Sequence, residues 1–206
     1  MSDIPDKTLE RLCLYRRLLE EQLLQSKERI YSHELAELAH ITPAQVRRDL
    51  MFVAHVGSTK GYKIRQLIDD ISSLLGSHRK QNMILFGIGN LGRAILSYFI
   101  GKRADLPVIA AFDINPEVTG RVIAGCRCYN FQDLDSFLKS NSVDMAILAV
   151  PGSAVQTLVD LLIDKGIRTF INFAPPPVIV PHYVYVEYVD ITLSFEKAAY
   201  FARKQR

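Results

Sequence analysis

The sequence predicts an α/β fold in which a parallel sheet follows a smaller helical unit. Two observations predict the sheet. A short apolar run, Met83-Ile84-Leu85-Phe86, ends in Gly87-Ile88-Gly89-Asn90-Leu91-Gly92, and Arg93 to Ile100 then continue in a helical pattern. Beyond it, apolar segments at 83–86, 108–112, about 125–129, 143–150 and 168–173 alternate with helical segments at 91–102, 131–139 and 153–165, and Val184 to Ile191 alternates again as a last strand. Strands that alternate with helices pair in parallel through crossover connections. A third observation predicts the unit in front: the first 76 residues hold helical periodicities only, apart from one glycine-flanked stretch.

Composition narrows the possible functions. At 206 residues, 49% of them hydrophobic, the chain can hold one large core or two small ones. Cys13, Cys126 and Cys128 make an odd count with no C-x-x-C pair, which predicts small buried thiols. Cys126 and Cys128 alternate along a predicted strand and should face the same side. His33, His40, His55, His78 and His182 show neither metal-ligand spacing nor a relay to a nucleophile, so no metal and no catalytic residue is expected. The N-terminus carries no apolar signal core, and no apolar run approaches about 18 residues. A soluble, cytoplasmic protein is expected.

Taken in order, residues 5 to 27 read as a long amphipathic helix, with Pro5 in its first turn and Leu9, Leu12, Leu19 and Leu23 at helical spacing. Ser32 is the expected N-cap of a two-turn helix over 33–39. Thr42 caps the next helix and Pro43 takes its first position; that helix runs from Ala44 to about Val53. Short helix, tight turn, second helix is the helix-turn-helix order. On the second helix Val46 and Leu50 should face inward, leaving Gln45, Arg47 and Arg48 outward. The stretch Gly57-Ser58-Thr59-Lys60-Gly61-Tyr62-Lys63-Ile64 then suggests a small β-hairpin, the wing of a winged helix. Between Ile41 and Ile68 five cations (Arg47, Arg48, Lys60, Lys63, Arg65) face one acid, Asp49, a balance of +4 against +3 for the whole chain. Those cations sit on the two elements that would meet a duplex. Thr42, Gln45, Arg47, Arg48, Lys60, Gly61, Tyr62 and Lys63 are therefore the candidate DNA-binding residues.

Ile64 to about Gly76 forms another amphipathic helix, and the polar stretch 77–82 marks a boundary between residues 1–80 and the sheet over 81–191. In the glycine motif, Gly87 should make the turn out of the strand, Gly89 should leave room for a pyrophosphate, and Gly92 should let the helix pack on the sheet. Asp113 ends the second apolar run 21 residues past Gly92, where an acid can accept hydrogen bonds from the adenosine ribose. Gly87, Ile88, Gly89, Asn90, Leu91, Gly92 and Asp113 are thus candidate dinucleotide contacts in a Rossmann-like doubly wound sheet. Val150-Pro151, at the carboxyl edge of a buried strand, joins them, as does Tyr98 on the helix after the motif. The last helix, 192–206, is apolar around much of its circumference and needs a partner, either its own core or another subunit.

The two halves together resemble the Rex family of redox-sensing transcriptional repressors. The resemblance is carried by Arg11-Leu12 through Tyr15-Arg16-Arg17-Leu18, by Thr42-Pro43-Ala44-Gln45-Val46-Arg47-Arg48-Asp49-Leu50 and by Gly61-Tyr62. It continues through 87–92, Phe112-Asp113, Ala149-Val150-Pro151, Asn172-Phe173-Ala174-Pro175 and Val189-Asp190-Ile191, over nearly the whole chain. The wing departs from the family pattern in being shorter and less basic. The resemblance implies a homodimer that binds operator double-stranded DNA and releases it when NADH binds, so the cofactor is NADH/NAD and no membrane is involved. It also implies an exchanged C-terminal helix that makes the dimer. Asp190 would then lie near the partner's nicotinamide region, meeting Tyr98 when NADH is bound and Arg17 when DNA is bound. Two alternatives come from other classes: a small NAD-dependent oxidoreductase, and a coenzyme A or nucleotide-binding module with a helical extension. No substrate domain follows the sheet, and the basic recognition helix fits neither alternative.

Overall fold

This computed structural model describes residues 4–53, 61–76, 79–99, 104–175 and 177–204. The chain divides into two compact units, Met1–Arg79 and Lys80–Arg206.

The first unit is built from α1 (Asp6–Leu24), β1 (Arg29–Ile30), α2 (Ser32–Leu38), α3 (Pro43–Leu50), β2 (Tyr62–Lys63) and α4 (Ile64–Leu74). Its core gathers the apolar stripes of the helices: Leu12, Tyr15 and Leu19 from α1, Leu35 from α2, Val46 and Leu50 from α3, Ile64 and Ile71 from α4. Pro5 stands one place before the first helical residue, as the N-cap, rather than in the first turn. The cap of α2 also differs from expectation. Tyr31, not Ser32, is the N-cap, and its backbone N–H donates to the Glu34 carboxylate at 2.7 Å. A glutamate at the third helical position competes well for that donor because it carries full charge. The turn between α2 and α3 is closed by His40 in the left-handed region (φ 53°), with the Ile41 N–H donating to the Ala36 carbonyl at 2.9 Å. That is a Schellman termination with histidine where glycine is usual. For α3 the expected cap is found: the Thr42 hydroxyl accepts the Gln45 N–H at 3.2 Å, and Pro43 opens the helix.

Strand β1 was not foreseen. Its two residues pair antiparallel with β2, Arg29 opposite Lys63 and Ile30 opposite Tyr62. Lys60 and the rest of 54–60 lie outside the described residues, so of the expected hairpin only the returning strand is described.

The second unit contains β3 (Met83–Phe86), α5 (Asn90–Phe99), β4 (Val108–Asp113), β5 (Val122–Ile123), β6 (Cys126–Asn130), a 3-10 turn over Phe131–Asp133, α6 (Leu134–Ser140), β7 (Met145–Leu148), α7 (Gly152–Asp164), β8 (Thr169–Asn172), β9 (Tyr185–Tyr188) and α8 (Ile191–Lys204). The strand order is β5-β6-β4-β3-β7-β8-β9, and every pairing is parallel except β5 with β6. The chain runs outward from β3 through β4 to β6, then returns to place β7 on the other side of β3. This is the topology of a doubly wound sheet, with its switch point beside β3. The strands are buried on both faces. Ile84 and Phe86 pack with Phe112, Leu148, Val159 and Phe170 on one side, while Met83 and Leu85 pack with Ile95, Ala111, Cys128 and Ile147 on the other. Cys126 and Cys128 are both buried in the second layer. The short antiparallel β5 is an addition to the predicted strands.

Helix α8 contributes to neither layer. Every described residue of it is exposed, including Phe195 at 71% and Phe201 at 61%. Of the two roles open to it in the sequence, core of its own unit is ruled out.

Candidate nucleotide and nucleic-acid sites

The glycine loop leaves β3 at the switch point, and its three glycines meet different demands. Gly87 has φ 91°, and a Cβ there would stand 2.4 Å from the Ala149 carbonyl oxygen. A Cβ on Gly92 would fall 1.9 Å from the Gly87 carbonyl oxygen. Packing alone therefore requires glycine at both positions. Gly89 is another matter: nothing among the described residues lies within 4 Å of a Cβ placed there, and its φ is ordinary. Packing by the described residues makes no demand on Gly89, whose missing side chain keeps open the space outside the loop.

Two hollows flank this loop at the carboxyl edge of the sheet. The polar one, of 430 Å³, is lined by Ile88, Gly89, Asn90, Arg93, Asp113, Asn115, Glu117, Val118 and Arg121. Asp113 joins its two walls, because one carboxylate oxygen accepts the Ile88 N–H at 2.6 Å and the other the Asn115 N–H at 2.8 Å. Arg93 Nε donates to the Ile88 carbonyl at 3.2 Å, which brings its guanidinium to the loop. The second hollow, of 460 Å³, is apolar and includes Gly87, Phe112, Asp113, Ile114, Phe131, Val150, Pro151 and Leu158. A polar recess with cations suits phosphates and ribose hydroxyls, and an apolar one suits a planar base. Asp113 borders both.

The candidates sort accordingly. Gly87, Ile88, Gly89, Asn90, Asp113, Val150 and Pro151 surround the hollows. Leu91 does not: it is half-buried against the layer of Met83, Leu85 and Ile95, so its side chain belongs to the core. Gly92 is buried beneath the loop. Tyr98 lies at the far end of α5, 61% exposed and edge-on to Phe99, and lines neither hollow. Asp190 caps α8 by accepting the Leu193 N–H at 2.8 Å and lines neither hollow. Arg17 is exposed on α1. Sequence reasoning missed Arg93, Arg121 and Phe131. Arg93 could have been found from its place directly after the third glycine, whereas Arg121 sits in an irregular loop with no periodicity to read.

In the first unit α3 presents Arg47 and Arg48 to solvent. Arg47 Nη1 donates to the Ser32 hydroxyl at 3.2 Å, a tie from α3 to the start of α2. Gln45 is not fully outward as expected but half-buried, its side-chain nitrogen donating to Asp49 Oδ1 at 2.8 Å. Asp49 is buried at 1% exposure and receives Arg11 Nε at 2.6 Å, Arg11 Nη2 at 2.7 Å and the Tyr15 hydroxyl at 2.7 Å. Burial alone would raise the Asp49 pKa, but the hydrogen bonds from Arg11, Tyr15 and Gln45 outweigh it and hold it below the usual carboxylate range. Burial, and then the hydrogen bond to Asp49, push the Tyr15 phenol well up. Just before β2, Gly61 adopts φ 77° and its carbonyl accepts Arg29 Nη1 at 3.2 Å. Tyr62 packs on the core, and Lys63 is exposed opposite Arg29. Lys27, Arg29, Lys63 and Arg65 line a 770 Å³ hollow there, together with Glu28 and Asp69. Lys27 and Arg29 were missed because β1 was. Among the described residues no group of three or more acids, histidines or cysteines could hold a metal ion, and no helix is long and apolar enough to cross a membrane.

The two kinds of site fit comparisons with known proteins. Residues 3–50 match the family described as "Putative DNA-binding protein N-terminus", and residues 78–176 match the CoA binding domain family. The chain is 34% identical over 199 residues to the redox-sensing transcriptional repressor Rex of Listeria monocytogenes, spanning 96% of this chain and 93% of that one. It is 33% identical over 204 residues to Rex of Lactobacillus acidophilus, spanning 98% and 97%. The chain belongs to the Rex family of redox-sensing transcriptional repressors. The CoA-binding match covers the sheet alone, whereas Rex relatives run through both units, and family members are repressors rather than oxidoreductases. Solved structures agree. RSP, a Rex-family repressor, in complex with NADH matches at TM-score 0.88, and RSP with NAD⁺ and operator DNA matches at 0.92. Both are 30% identical to this chain and cover 100% of it, with 97% and 95% of their own lengths matched.

Proposed function

We propose that this Rex-family chain is a repressor that binds operator DNA as a homodimer and releases it when NADH binds, so that transcription follows the NADH/NAD ratio in the cytoplasm. Residues 1–80 bind DNA in this reading, 81–191 bind the nucleotide, and 192–206 hold the partner. The observation that carries it is the glycine loop. Packing dictates Gly87 and Gly92, while only the space outside the protein accounts for Gly89, and that space adjoins Asp113 and Arg93.

The residues of the two hollows fit a dinucleotide. Asp113 keeps acceptor capacity on both oxygens for ribose hydroxyls. The amides of the loop and the start of α5 face the pyrophosphate, with Arg93 beside them. Phe131, Val150 and Pro151 offer apolar surface to a base. NADH and NAD⁺ differ by a positive charge on the nicotinamide ring, which is the redox signal the cofactor supplies. An apolar pocket around that ring disfavours the charged form. In the DNA-binding unit Thr42 fixes the start of α3, Arg47 and Arg48 reach the duplex, and Lys60, Gly61, Tyr62 and Lys63 form the wing contact. The exposed apolar surface of α8 supports the dimer. Release requires two dimer arrangements, only one of which spaces the recognition helices for successive major-groove half-sites. Tyr98, Asp190 and Arg17 are the proposed coupling residues, a carboxylate with two exclusive partners serving as the bistable contact.

Titrating NADH and NAD⁺ against the protein bound to a fluorescent duplex from its own upstream region tests this reading. NADH should release the duplex at concentrations where NAD⁺ does not. Equal release by both, or no binding of the duplex, overturns it.

A further inference from the structure

The recognition helix carries an acid that never reaches its surface. Asp49 is 1% exposed, and its oxygens are filled from behind by Arg11 and Tyr15, with the Thr8 hydroxyl at 3.5 Å. One further donor comes from α3 itself, the side-chain nitrogen of Gln45 at 2.8 Å. The Arg11 guanidinium at 2.6 Å neutralises the carboxylate and keeps it ionised. An ionised carboxylate can only accept hydrogen bonds. A glutamine amide on an open helix surface turns over freely, exchanging its oxygen and nitrogen. Here that freedom is gone: the nitrogen must face Asp49, so the oxygen must face away.

Gln45 is the third residue of α3 and half-exposed, beside Ala44 and Arg48 on the exposed surface. The first turn of a recognition helix is the part that meets base edges. With one N–H spent on Asp49, the edge left to a duplex holds the amide oxygen and the second N–H. That pair matches the N6 donor and N7 acceptor of adenine in the major groove. Guanine offers two acceptors there and leaves the amide oxygen facing another oxygen.

We propose that Asp49 is a specificity-determining positioning residue: without touching DNA, it fixes the amide of Gln45 in the orientation that reads adenine. The inference rests on the DNA-binding reading above and adds a base preference to it. A neutral residue at 49 would leave α3 in place but let the amide turn, and the preference at that base pair would fade.

The test uses the full-length protein and a duplex that it selects from a random-sequence pool, with each base pair then changed in turn. The wild type should lose about tenfold in affinity when one particular A·T pair becomes G·C. Gln45→Leu should flatten that position and keep the ranking of the others. Asp49→Asn, whose amide can donate to the Gln45 oxygen, should flatten the same position. Should Asp49→Asn fail to fold, Arg11→Met with Asp49→Leu removes the ion pair as a unit, a change that buried pairs commonly tolerate. Its profile should be flat at the same base pair. A merely structural role for Asp49 would weaken all duplexes alike and leave the profile unchanged, which overturns the proposal. A Gln45→Leu profile identical to that of the wild type overturns it too, while the DNA-binding reading stands. If the wild type selects no duplex at all, both fall.

Discussion

The Asp113 carboxylate accepts the backbone N–H of Ile88 at 2.6 Å, so the acid at the end of β4 also fastens the loop that follows β3. In the proposed reading one side chain thereby has a structural and a recognition task. A phosphate on the ribose 2′ position would be brought against a carboxylate that cannot swing away without releasing the loop. NADH should accordingly bind more than tenfold tighter than NADPH, a difference of about 1.4 kcal/mol or more. Equal dissociation constants in a fluorescence titration would refute the assignment. Asp113→Ala should weaken both nucleotides while leaving operator binding intact, giving a repressor that no longer senses.

The three glycines separate stability from binding. Gly92→Ala drives a Cβ into the Gly87 carbonyl and should destabilise the sheet unit by about 3 kcal/mol or more, since backbone, unlike a side chain, has little room to give. Gly89→Ala meets open space and should leave thermal stability within about 0.5 kcal/mol of the wild type while NADH binding falls at least tenfold. Melting curves with parallel cofactor titrations decide it. Retained NADH affinity in Gly89→Ala would mean that the open space is not the nucleotide's.

Acid should loosen the DNA-binding unit. The folded-state pKa of Asp49 is depressed, so its contribution to stability is fully present above the unfolded value of about 3.9 and is lost as pH falls through the lower folded value. Asp49→Ala removes the carboxylate at every pH and leaves Arg11 and Tyr15 without it, a loss of about 2–4 kcal/mol at neutral pH. Chemical denaturation of the wild type and the variant should show that gap narrowing below about pH 4. A gap independent of pH would locate the loss in packing instead.

Much of this was legible in the sequence, because the signals were periodic or geometric. Thr42-Pro43 marked the start of α3, and the unbroken apolar run Met83 to Phe86, buried on both faces, marked β3. What escaped was short or relational. Arg29 and Ile30 form a strand only because Lys63 and Tyr62 return beside them, and two residues carry no period. The cap at Tyr31 escaped because Glu34 supplies the hydrogen bond, not the residue in the capping position. Gln45 was placed on the outer face by helical geometry, correctly for its Cα. Its amide is drawn back by an acid four residues on, whose burial depends on Arg11 and Tyr15 in another helix.

Removing α8 should dissociate the protein. Its Leu193, Phe195, Tyr200 and Phe201 are exposed among the described residues, so their burial is available to a second subunit. Sedimentation of a chain lacking 192–206 should show monomers, or aggregation of the newly exposed partner surface, and no operator binding. A stable dimer would refute the role given to the helix. Asp190→Ala in the full chain should keep the dimer and both ligands but reduce the factor by which NADH weakens DNA binding.

Each unit encloses its own apolar interior, one centred on Leu12, Tyr15 and Leu50 and the other on the two layers about β3. Heat need not dismantle them together. Calorimetry of the free protein should resolve two endotherms, and added NADH should move the one belonging to the sheet unit upward by mass action. Between the two transitions there would be a species that still holds cofactor but has lost its grip on the operator. In a cell under thermal stress such a repressor would fail toward expression, whatever the redox state of the nicotinamide pool.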